Sequence, residues 1–235
     1  MHIRDPRPED FLQLALDMTS INDAAQLASG LVGALARVEV GTPLVLSAGL
    51  DAIRRIRDAA GDSVSLVADV KICDAGEKIA RRAFEAGADV VTAVAAALDD
   101  VTWQGVLMAA AEVKLTEKCP APVLLDTIGL YEGSSRVERL GAAAHEAGID
   151  VDLCVHRPKK AAPGFGQLME PYAKYARYFR RVIVAGKLNP QEVQLALEAG
   201  FEILIVGGAV ADAPDPATVW KQLLGNVASF QKRGQ

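Results

Sequence analysis

The chain has 235 residues, of which 51% are hydrophobic, 23% charged and only 5% aromatic, a composition typical of one globular domain. Its net charge of −5 and the lack of a basic stripe with interleaved aromatic residues argue against nucleic acid as a partner. The cysteines Cys73, Cys119 and Cys154 are scattered, without a CxxC pair, which favours neither a disulfide framework nor a zinc site. No apolar run approaches the roughly 18 residues of a membrane span, and the N-terminus lacks the apolar core of a signal peptide, so we expect a cytoplasmic protein without membrane contact.

Apolar runs typical of buried strands alternate with helical patterns along the whole chain. The predicted strands are Leu12–Leu16, Ala36–Val40, Val64–Val70, Val90–Val94, Pro122–Leu125, Val151–Val155, Val182–Ala185 and Ile203–Val206. Apolar residues at helical spacing lie between them, in Ala48–Ile56, Lys78–Ala86, Val101–Val113, Arg136–Ala147, Pro190–Ala199 and Pro216–Phe230. Several of these helical patterns end in Ala-Gly, as at Gly87, Gly148 and Gly200, which is the usual glycine stop.

Strands that alternate with helices pair in parallel through right-handed crossovers. A doubly wound open sheet is the alternative, but no GxGxxG follows the first strand, and Gly186-Lys187 is not followed by Ser or Thr as a phosphate-binding P-loop requires. The pattern therefore predicts an α/β protein with a single (β/α)₈ TIM barrel domain over residues 1–235, in which residues 1–10 form an N-terminal extension.

The predicted strands end in ionisable residues, and in a barrel the chemistry lies at the C-terminal ends of the strands. The segment from Asp69 through Lys71 to Asp74 is the densest such end, because side chains at i and i+2 of a strand point to the same face. A structural Asp–Lys pair is the alternative interpretation of this segment. The other strand ends carry Asp17, Glu39, Thr92, Asp126, His156 with Arg157, Gly186 with Lys187, and Gly207 with Gly208.

With these ends in place, the chain resembles the orotidine monophosphate decarboxylase suprafamily. Within it, the branch of 3-hexulose-6-phosphate synthase and 3-keto-L-gulonate-6-phosphate decarboxylase is the most similar. The segments that carry the resemblance are Leu14–Asp17, Val38–Pro43, the Asp-x-Lys-x-x-Asp motif of Asp69, Lys71 and Asp74, Phe84–Asp89, Cys154–His156, Val184–Gly186 and Val206–Ala209.

The resemblance implies a lyase that uses Mg²⁺ and acts on a sugar phosphate through an enediolate. Glu39 and Asp69 match the acids that hold the metal, and hard oxygen ligands suit Mg²⁺. Lys71 adds positive charge beside the developing oxyanion, and His156 matches an acid–base residue. The alternatives are that Glu39 only pairs with Lys71, without a metal, and that His156 is a core histidine.

The remaining site residues follow from the same resemblance. Asp126 matches a catalytic acid at the end of strand five, and Asp17 positions substrate hydroxyls. Asp74 also positions a hydroxyl and is supplied across a dimer interface, so the resemblance implies a homodimer with shared active sites.

Phosphate is expected after strands seven and eight, where glycines let backbone amides approach an anion. Gly186, Gly207 and Gly208 fit this role, with positive charge from Lys187 and Lys159 and with Arg157 nearby. Relatives often carry a second glycine at the position of Lys187, and the loop 157–164 departs from their usual sequence. An alternative for Lys187 is that it points to solvent.

The sequence leaves three alternatives open, of which two are enzymatic reactions and one is binding without catalysis. An aldolase would add formaldehyde to ribulose 5-phosphate, as 3-hexulose-6-phosphate synthase does, and Val40–Pro43, Asp126, Ala185 and Val206–Ala209 favour it. A carboxy-lyase would remove CO₂ from 3-keto-L-gulonate 6-phosphate. A repurposed paralogue would bind a sugar phosphate without either activity.

Overall fold

The structure, a computed structural model, describes residues 5–113, 121–130, 134–158 and 163–233. Eight parallel strands close into one barrel in chain order, and β8 pairs with β1. The strands are β1 (Leu12–Leu16), β2 (Arg37–Val40), β3 (Ser65–Ile72), β4 (Val90–Val94), β5 (Val123–Asp126), β6 (Val151–His156), β7 (Val182–Ala185) and β8 (Ile203–Val206). The predicted (β/α)₈ barrel is thereby confirmed.

Helices cover the outside of the barrel between the strands. They are α1 (Ile21–Gly30), α2 (Thr42–Ala48), α3 (Leu50–Ala60), α4 (Gly76–Glu85), α5 (Asp100–Ala111), α6 (Ser135–Glu146), α7 (Phe165–Ala173), α8 (Val193–Glu198), α9 (Gly208–Ala211) and α10 (Pro216–Arg233). Short 3₁₀ helices occupy Pro8–Phe11, Ala176–Tyr178 and Pro190–Glu192. None of the helices in the described ranges is both long and apolar enough to cross a membrane.

The predicted helix over Ala48–Ile56 is wrong at its start. Gly49 has φ +62° and separates α2 from α3, so the helix begins at Leu50. A positive φ is accessible to glycine at little cost, which makes Gly49 a natural break. The predicted stops at Gly87, Gly148 and Gly200 all have positive φ, as helix-ending glycines do.

The apolar core has two layers that the barrel wall separates. Inside the barrel, one residue in two along each strand points to the axis, and the apolar ones are Ala15, Val67, Val90, Leu124, Cys154, Ile183, Ala185, Ile203 and Ile205. Outside it, larger side chains join the strands to the helices. The buried rings of Trp103 and Trp220 belong to this outer layer, and each donates its indole N–H to a backbone carbonyl, at Leu140 and Ala34 respectively.

β3 extends to Ile72, two residues beyond its predicted end. Its pairing with β4 slips between Ala68 and Ile72, and Lys71 lies in this irregularity with φ +44°. A left-handed backbone is uncommon for a residue other than glycine, and such positions concentrate at functional sites. Asp69 and Lys71 therefore both lie within β3, in a segment where the strand is bulged. They do not lie at the end of a regular strand.

Candidate active site

A cavity of about 940 Å³ opens at the C-terminal end of the barrel. Of the predicted site residues that the structure describes, all but Asp74 line it. They are Asp17, Glu39, Asp69, Lys71, Asp126, His156, Arg157, Gly186, Lys187, Gly207 and Gly208. Asp74 is exposed, and its carboxylate accepts the N–H of Ala75 at 2.6 Å. Lys159, the second predicted phosphate ligand, lies outside the described residues, as do residues 160–162 of the divergent loop.

Lys71 joins two strand ends through its ammonium group. Its Nζ lies 3.0 Å from Asp69 Oδ1 and 3.0 Å from Asp126 Oδ2, and its backbone N–H donates to Thr92 Oγ1 at 2.9 Å. Partial burial acts to lower the pKa of Lys71, but the two carboxylates outweigh this effect and raise it above the usual value. Lys71 is thus a fixed cation in the cavity and not a proton acceptor at neutral pH.

Asp69 is held by donors from three directions. Its Oδ1 accepts from Thr92 Oγ1 at 2.8 Å as well as from Lys71. Its Oδ2 accepts from Thr42 Oγ1 at 2.6 Å and from the Thr42 backbone N–H at 3.3 Å. A carboxylate offers about four acceptor positions, so Asp69 is fully engaged in this arrangement. For Asp69 to bind a metal ion, one of these hydrogen bonds would therefore have to be replaced by a bond to the metal.

Glu39 and Asp17 face the same cavity as Asp69. Burial raises the pKa of Glu39 well above its usual value, and Asp69 adds to the effect. Burial and Asp69 likewise raise the pKa of Asp17. Gln13, on the inner face of β1, donates its amide to Glu39 Oε2 at 2.5 Å. Three carboxylates around one cavity repel one another, and a divalent cation would relieve this repulsion with the oxygen ligands that Mg²⁺ prefers.

The Asp17 carboxylate lies between two glycines. A Cβ added to Gly41 would overlap Asp17 Oδ1 and would lie 2.7 Å from the backbone oxygen of Leu16. A Cβ added to Gly207 would lie 3.0 Å from Asp17 Oδ2. The missing side chains at Gly41 and Gly207 therefore create the space that Asp17 occupies.

His156 and Asp126 form the opposite side of the cavity. His156 Nδ1 lies 3.3 Å from Asp126 Oδ1, without the alignment of a hydrogen bond, and Oδ1 accepts the Ile128 N–H at 2.9 Å. Burial acts to raise the pKa of Asp126, but His156 and Lys71 together lower it below its usual value. Asp126 is therefore an anion that links the lysine to the histidine.

The third side of the cavity carries the glycines predicted for phosphate. Gly186 and Lys187 have φ +111° and +51°, and a Cβ on Gly186 would lie 3.0 Å from Arg157 Cβ. Arg157 is held by an ion pair with Glu192 at 3.1 Å and by the ring of Phe165. Within the described part of the chain, Lys187 has no such ion pair. Of the two predicted cations that the structure describes here, Lys187 is therefore the one without a carboxylate partner, and it is placed to meet an anion.

Several residues that line the cavity or contact its acids were not predicted as site residues. Gln13, Thr42 and Thr92 hold the acids, and Cys154 lines the floor. Asp212 also lines the cavity, and its Oδ2 would lie 2.9 Å from a Cβ on Gly208. For Gln13, the sequence did offer a signal, because it is a polar residue within an otherwise apolar strand. Asp212 lies in a segment that carries no strand or motif signal.

A closed parallel barrel with buried acids and a partly buried lysine at one rim is typical of barrel proteins that bind a charged small ligand at this face. A family model described as Orotidine 5'-phosphate decarboxylase / HUMPS family matches residues 10–223. The 3-hexulose-6-phosphate synthase of Mycobacterium gastri is 34% identical over 224 residues, which cover 92% of this chain and 99% of that protein. The chain belongs to the Orotidine 5'-phosphate decarboxylase / HUMPS family.

Solved structures agree with this assignment. A crystal structure of a 3-hexulose-6-phosphate synthase matches with a TM-score of 0.74 and 31% identity, over 92% of this chain and 98% of that one. The 3-keto-L-gulonate-6-phosphate decarboxylase of Vibrio cholerae matches with a TM-score of 0.76 over 94% of this chain and 99% of that one. At 24% identity, the second match shows the fold alone. The predicted resemblance to the synthase and decarboxylase branch of the suprafamily is confirmed.

Proposed function

We propose that the chain catalyses the aldol addition of formaldehyde to ribulose 5-phosphate, the reaction of a 3-hexulose-6-phosphate synthase. The coarser conclusion, that it is a carbon–carbon lyase acting on a sugar phosphate, rests on its family and its relatives. The finer proposal is supported by the 34% identity to a synthase along nearly the full length of both chains. Asp126 at the end of β5 and the Gly207-Gly208 pair after β8 also support it, because both match the synthase pattern.

The observation that carries the proposal is the chain of polar contacts from Asp69 through Lys71 and Asp126 to His156. Each link is 3.0–3.3 Å long, and all four groups face one cavity. A cation held between two buried carboxylates stabilises negative charge that develops on substrate oxygens, and it needs no reorganisation at the moment of reaction. A histidine at the end of this chain is placed to move a proton.

The proposed reaction assigns a step to each of these groups. His156 removes a proton from C1 of ribulose 5-phosphate, and the C1–H electron pair passes into an enediolate beside Lys71. The nucleophilic C1 then attacks the carbonyl carbon of formaldehyde, and a new carbon–carbon bond forms. The proton returns to the former formaldehyde oxygen, so that the product contains all atoms of both substrates. Asp17, fixed between Gly41 and Gly207, orients a substrate hydroxyl.

Magnesium is part of this proposal, with Glu39 and Asp69 as the residues that would hold it. The raised pKa of Glu39, which burial and Asp69 cause, fits a site that a divalent cation completes. When bound, Mg²⁺ supplies positive charge that stabilises the enediolate. Calorimetry with Mg²⁺ and a substrate analogue should show binding to the native protein and none to the Asp69→Ala variant. Equal binding in both would contradict the assignment, and Glu146→Gln on the exposed face of α6 is the matched control.

The test of the reaction is an assay of the purified protein with Mg²⁺ and each of the two candidate substrates. Consumption of formaldehyde with ribulose 5-phosphate is expected. Release of CO₂ from 3-keto-L-gulonate 6-phosphate would instead favour the carboxy-lyase. If neither reaction occurred, the chain would be a repurposed paralogue, and the proposal would fail.

A homodimer with shared sites is also proposed. Asp74 faces outward just before α4, and a Cβ on Gly76 would overlap the backbone oxygen of Thr102, so the start of α5 packs directly beside it. Val101, at this same point, is 78% exposed. This outward position of Asp74 beside α5 suits a contact through which its carboxylate enters the neighbouring site, as the resemblance implies.

Mixing two inactive variants tests this arrangement. Lys71→Ala and Asp74→Ala subunits should regain activity when they exchange, because each mixed dimer then contains one intact site. Exchange without any return of activity would contradict the shared site.

Because sugar phosphates are charged and do not cross membranes unaided, we also propose that the enzyme works in the cytoplasm, which cell fractionation would check.

A further inference from the structure

The floor of the cavity carries a mixed set of donor atoms beside the proposed magnesium residues. Asp126 on β5 lies opposite Cys154 on β6 in the strand register, and His156 follows two residues later on the same face. One ligand atom from each of these three residues lies within 4.8 Å of the others. All three line the cavity, so an ion entering with solvent can reach them.

The three residues are largely buried, and they make few hydrogen bonds with one another. Cys154 is 2% exposed and has a free thiol. His156 Nδ1 is buried and has no hydrogen-bond partner among the described residues. Asp126 Oδ2 accepts a hydrogen bond from Lys71, and Asp126 Oδ1 faces His156. A thiol, an imidazole nitrogen and a carboxylate oxygen thus lie close together, and the Lys71 ammonium pairs with Oδ2 of the same carboxylate.

Donor chemistry decides which ion such a set prefers. Sulfur and imidazole ligands select Zn²⁺ and similar thiophilic ions, whereas Mg²⁺ prefers oxygen alone. Zinc–ligand bonds are about 2.0–2.3 Å long, which places ligand atoms about 3.5 Å apart in a tetrahedron. A shift of about 1 Å in the side chains closes the remaining gap. Because all three residues line the cavity, water or a substrate oxygen would be able to complete the coordination.

We propose that Asp126, Cys154 and His156 form a second metal site that binds Zn²⁺ or another thiophilic divalent cation. On binding, the Cys154 S–H bond breaks, the proton leaves to solvent and the sulfur binds the metal as thiolate. Occupancy removes His156 from proton transfer and weakens the Asp126–Lys71 pair, so the ion inhibits the enzyme. The inhibition rests on the proposed function, whereas the binding does not. The scattered cysteines had argued against a zinc site, but the strand register supplies the nearby ligands.

Cobalt is the probe for the binding test, because a thiolate–Co²⁺ bond gives a charge-transfer band in the near ultraviolet. The chain has three cysteines, so a Cys73→Ser/Cys119→Ser variant retains only Cys154. The band is expected in the native protein and in this variant, and it should persist in excess Mg²⁺. It should vanish in Cys154→Ser and in Cys154→Ala, the second replacement serving where the first perturbs folding. No band in the variant that retains only Cys154 would overturn the proposal.

Zinc affinity and inhibition provide a second readout. Competition against a chromogenic chelator should show at least a ten-fold weaker Kd for Zn²⁺ in Cys154→Ala, and no change in Cys73→Ser, whose cysteine is exposed. Half-maximal inhibition of formaldehyde consumption should shift by a similar factor. An unchanged Kd in Cys154→Ala would overturn the site. A cobalt band without zinc inhibition would support the metal site and contradict the roles assigned to Asp126 and His156 in the proposed function.

Discussion

Gly41→Ala is the substitution whose effect can be worked out most directly from the structure. Gly41 has φ −63°, a value that any residue adopts, so the change introduces no backbone strain. The new Cβ would overlap Asp17 Oδ1, and it would lie 2.7 Å from the Leu16 carbonyl oxygen and 3.1 Å from Asp17 Cα. Rotation of the Asp17 side chain relieves the first contact, but the two backbone contacts require the end of β1 to move.

The expected cost has two parts. Overpacking of a tight site typically destabilises a protein by about 1–3 kcal/mol. A catalytic group displaced by about 1 Å loses about a hundred-fold in rate, and Asp17 should move by about that amount. We therefore expect kcat/KM for ribulose 5-phosphate and formaldehyde to fall about a hundred-fold, with a moderate decrease in the free energy of unfolding in urea.

Two comparisons isolate the cause. Gly225→Ala in α10 is the matched control, because its Cβ meets nothing within 4 Å, and it should leave activity unchanged while stabilising the helix by about 0.5–1 kcal/mol. Adding Gly41→Ala to Asp17→Ala should cause little further loss of kcat/KM, since the two changes disturb the same group. Native activity in Gly41→Ala, or losses that multiply in the double variant, would refute the reasoning.

Three further predictions concern the charges of the cavity. Lys187→Ala should raise KM for the phosphorylated substrate about ten- to a hundred-fold with a smaller effect on kcat, because a charge-assisted hydrogen bond is worth about 1.5–3 kcal/mol. The control Lys221→Ala should leave KM unchanged. An unchanged KM in Lys187→Ala as well would mean that Lys187 points to solvent. Asp212→Asn should lower KM a few-fold by removing a negative charge beside Gly208, and a raised KM would show that Asp212 binds the substrate instead. Burial and Asp69 raise the pKa of Glu39, so its contribution to stability is present at low pH and is lost as pH rises through the raised pKa. The Tm of the metal-free protein should therefore fall as the pH rises above the usual glutamate pKa, and a fall of the same size in Glu39→Gln would contradict this origin.

The strands of this protein could be predicted closely from the sequence because parallel strands are buried on both faces and read as continuous apolar runs. The helices α1, α2, α7 and α9 were not predicted. Alanine-rich α1 buries Ala24, Ala25 and Ala28, which give a weak apolar signal. The first residues of α2, Thr42 and Pro43, resemble a turn in sequence although proline also suits the first turn of a helix.

Most of the ionisable residues of the cavity could be predicted because each lies at a strand end on the same rim of the barrel: Asp17, Glu39, Asp69, Lys71, Asp126 and His156. Their partners could not. The contacts of Thr42 and Thr92 with Asp69 depend on strand register and on the left-handed conformation of Lys71, which no local pattern indicates. The cluster of Asp126, Cys154 and His156 likewise depends on the pairing of β5 with β6.

Hydrogen exchange at C1 of ribulose 5-phosphate tests the central claim most directly, since formation of the enediolate needs neither formaldehyde nor CO₂. In D₂O with Mg²⁺ and without formaldehyde, the native protein should introduce deuterium at C1, which proton NMR detects as a loss of the C1 signal. Lys71→Ala and His156→Ala should exchange at least a hundred-fold more slowly, whereas Cys73→Ser should match the native rate. No exchange by the native protein, or exchange that persists in both active-site variants, would contradict the account.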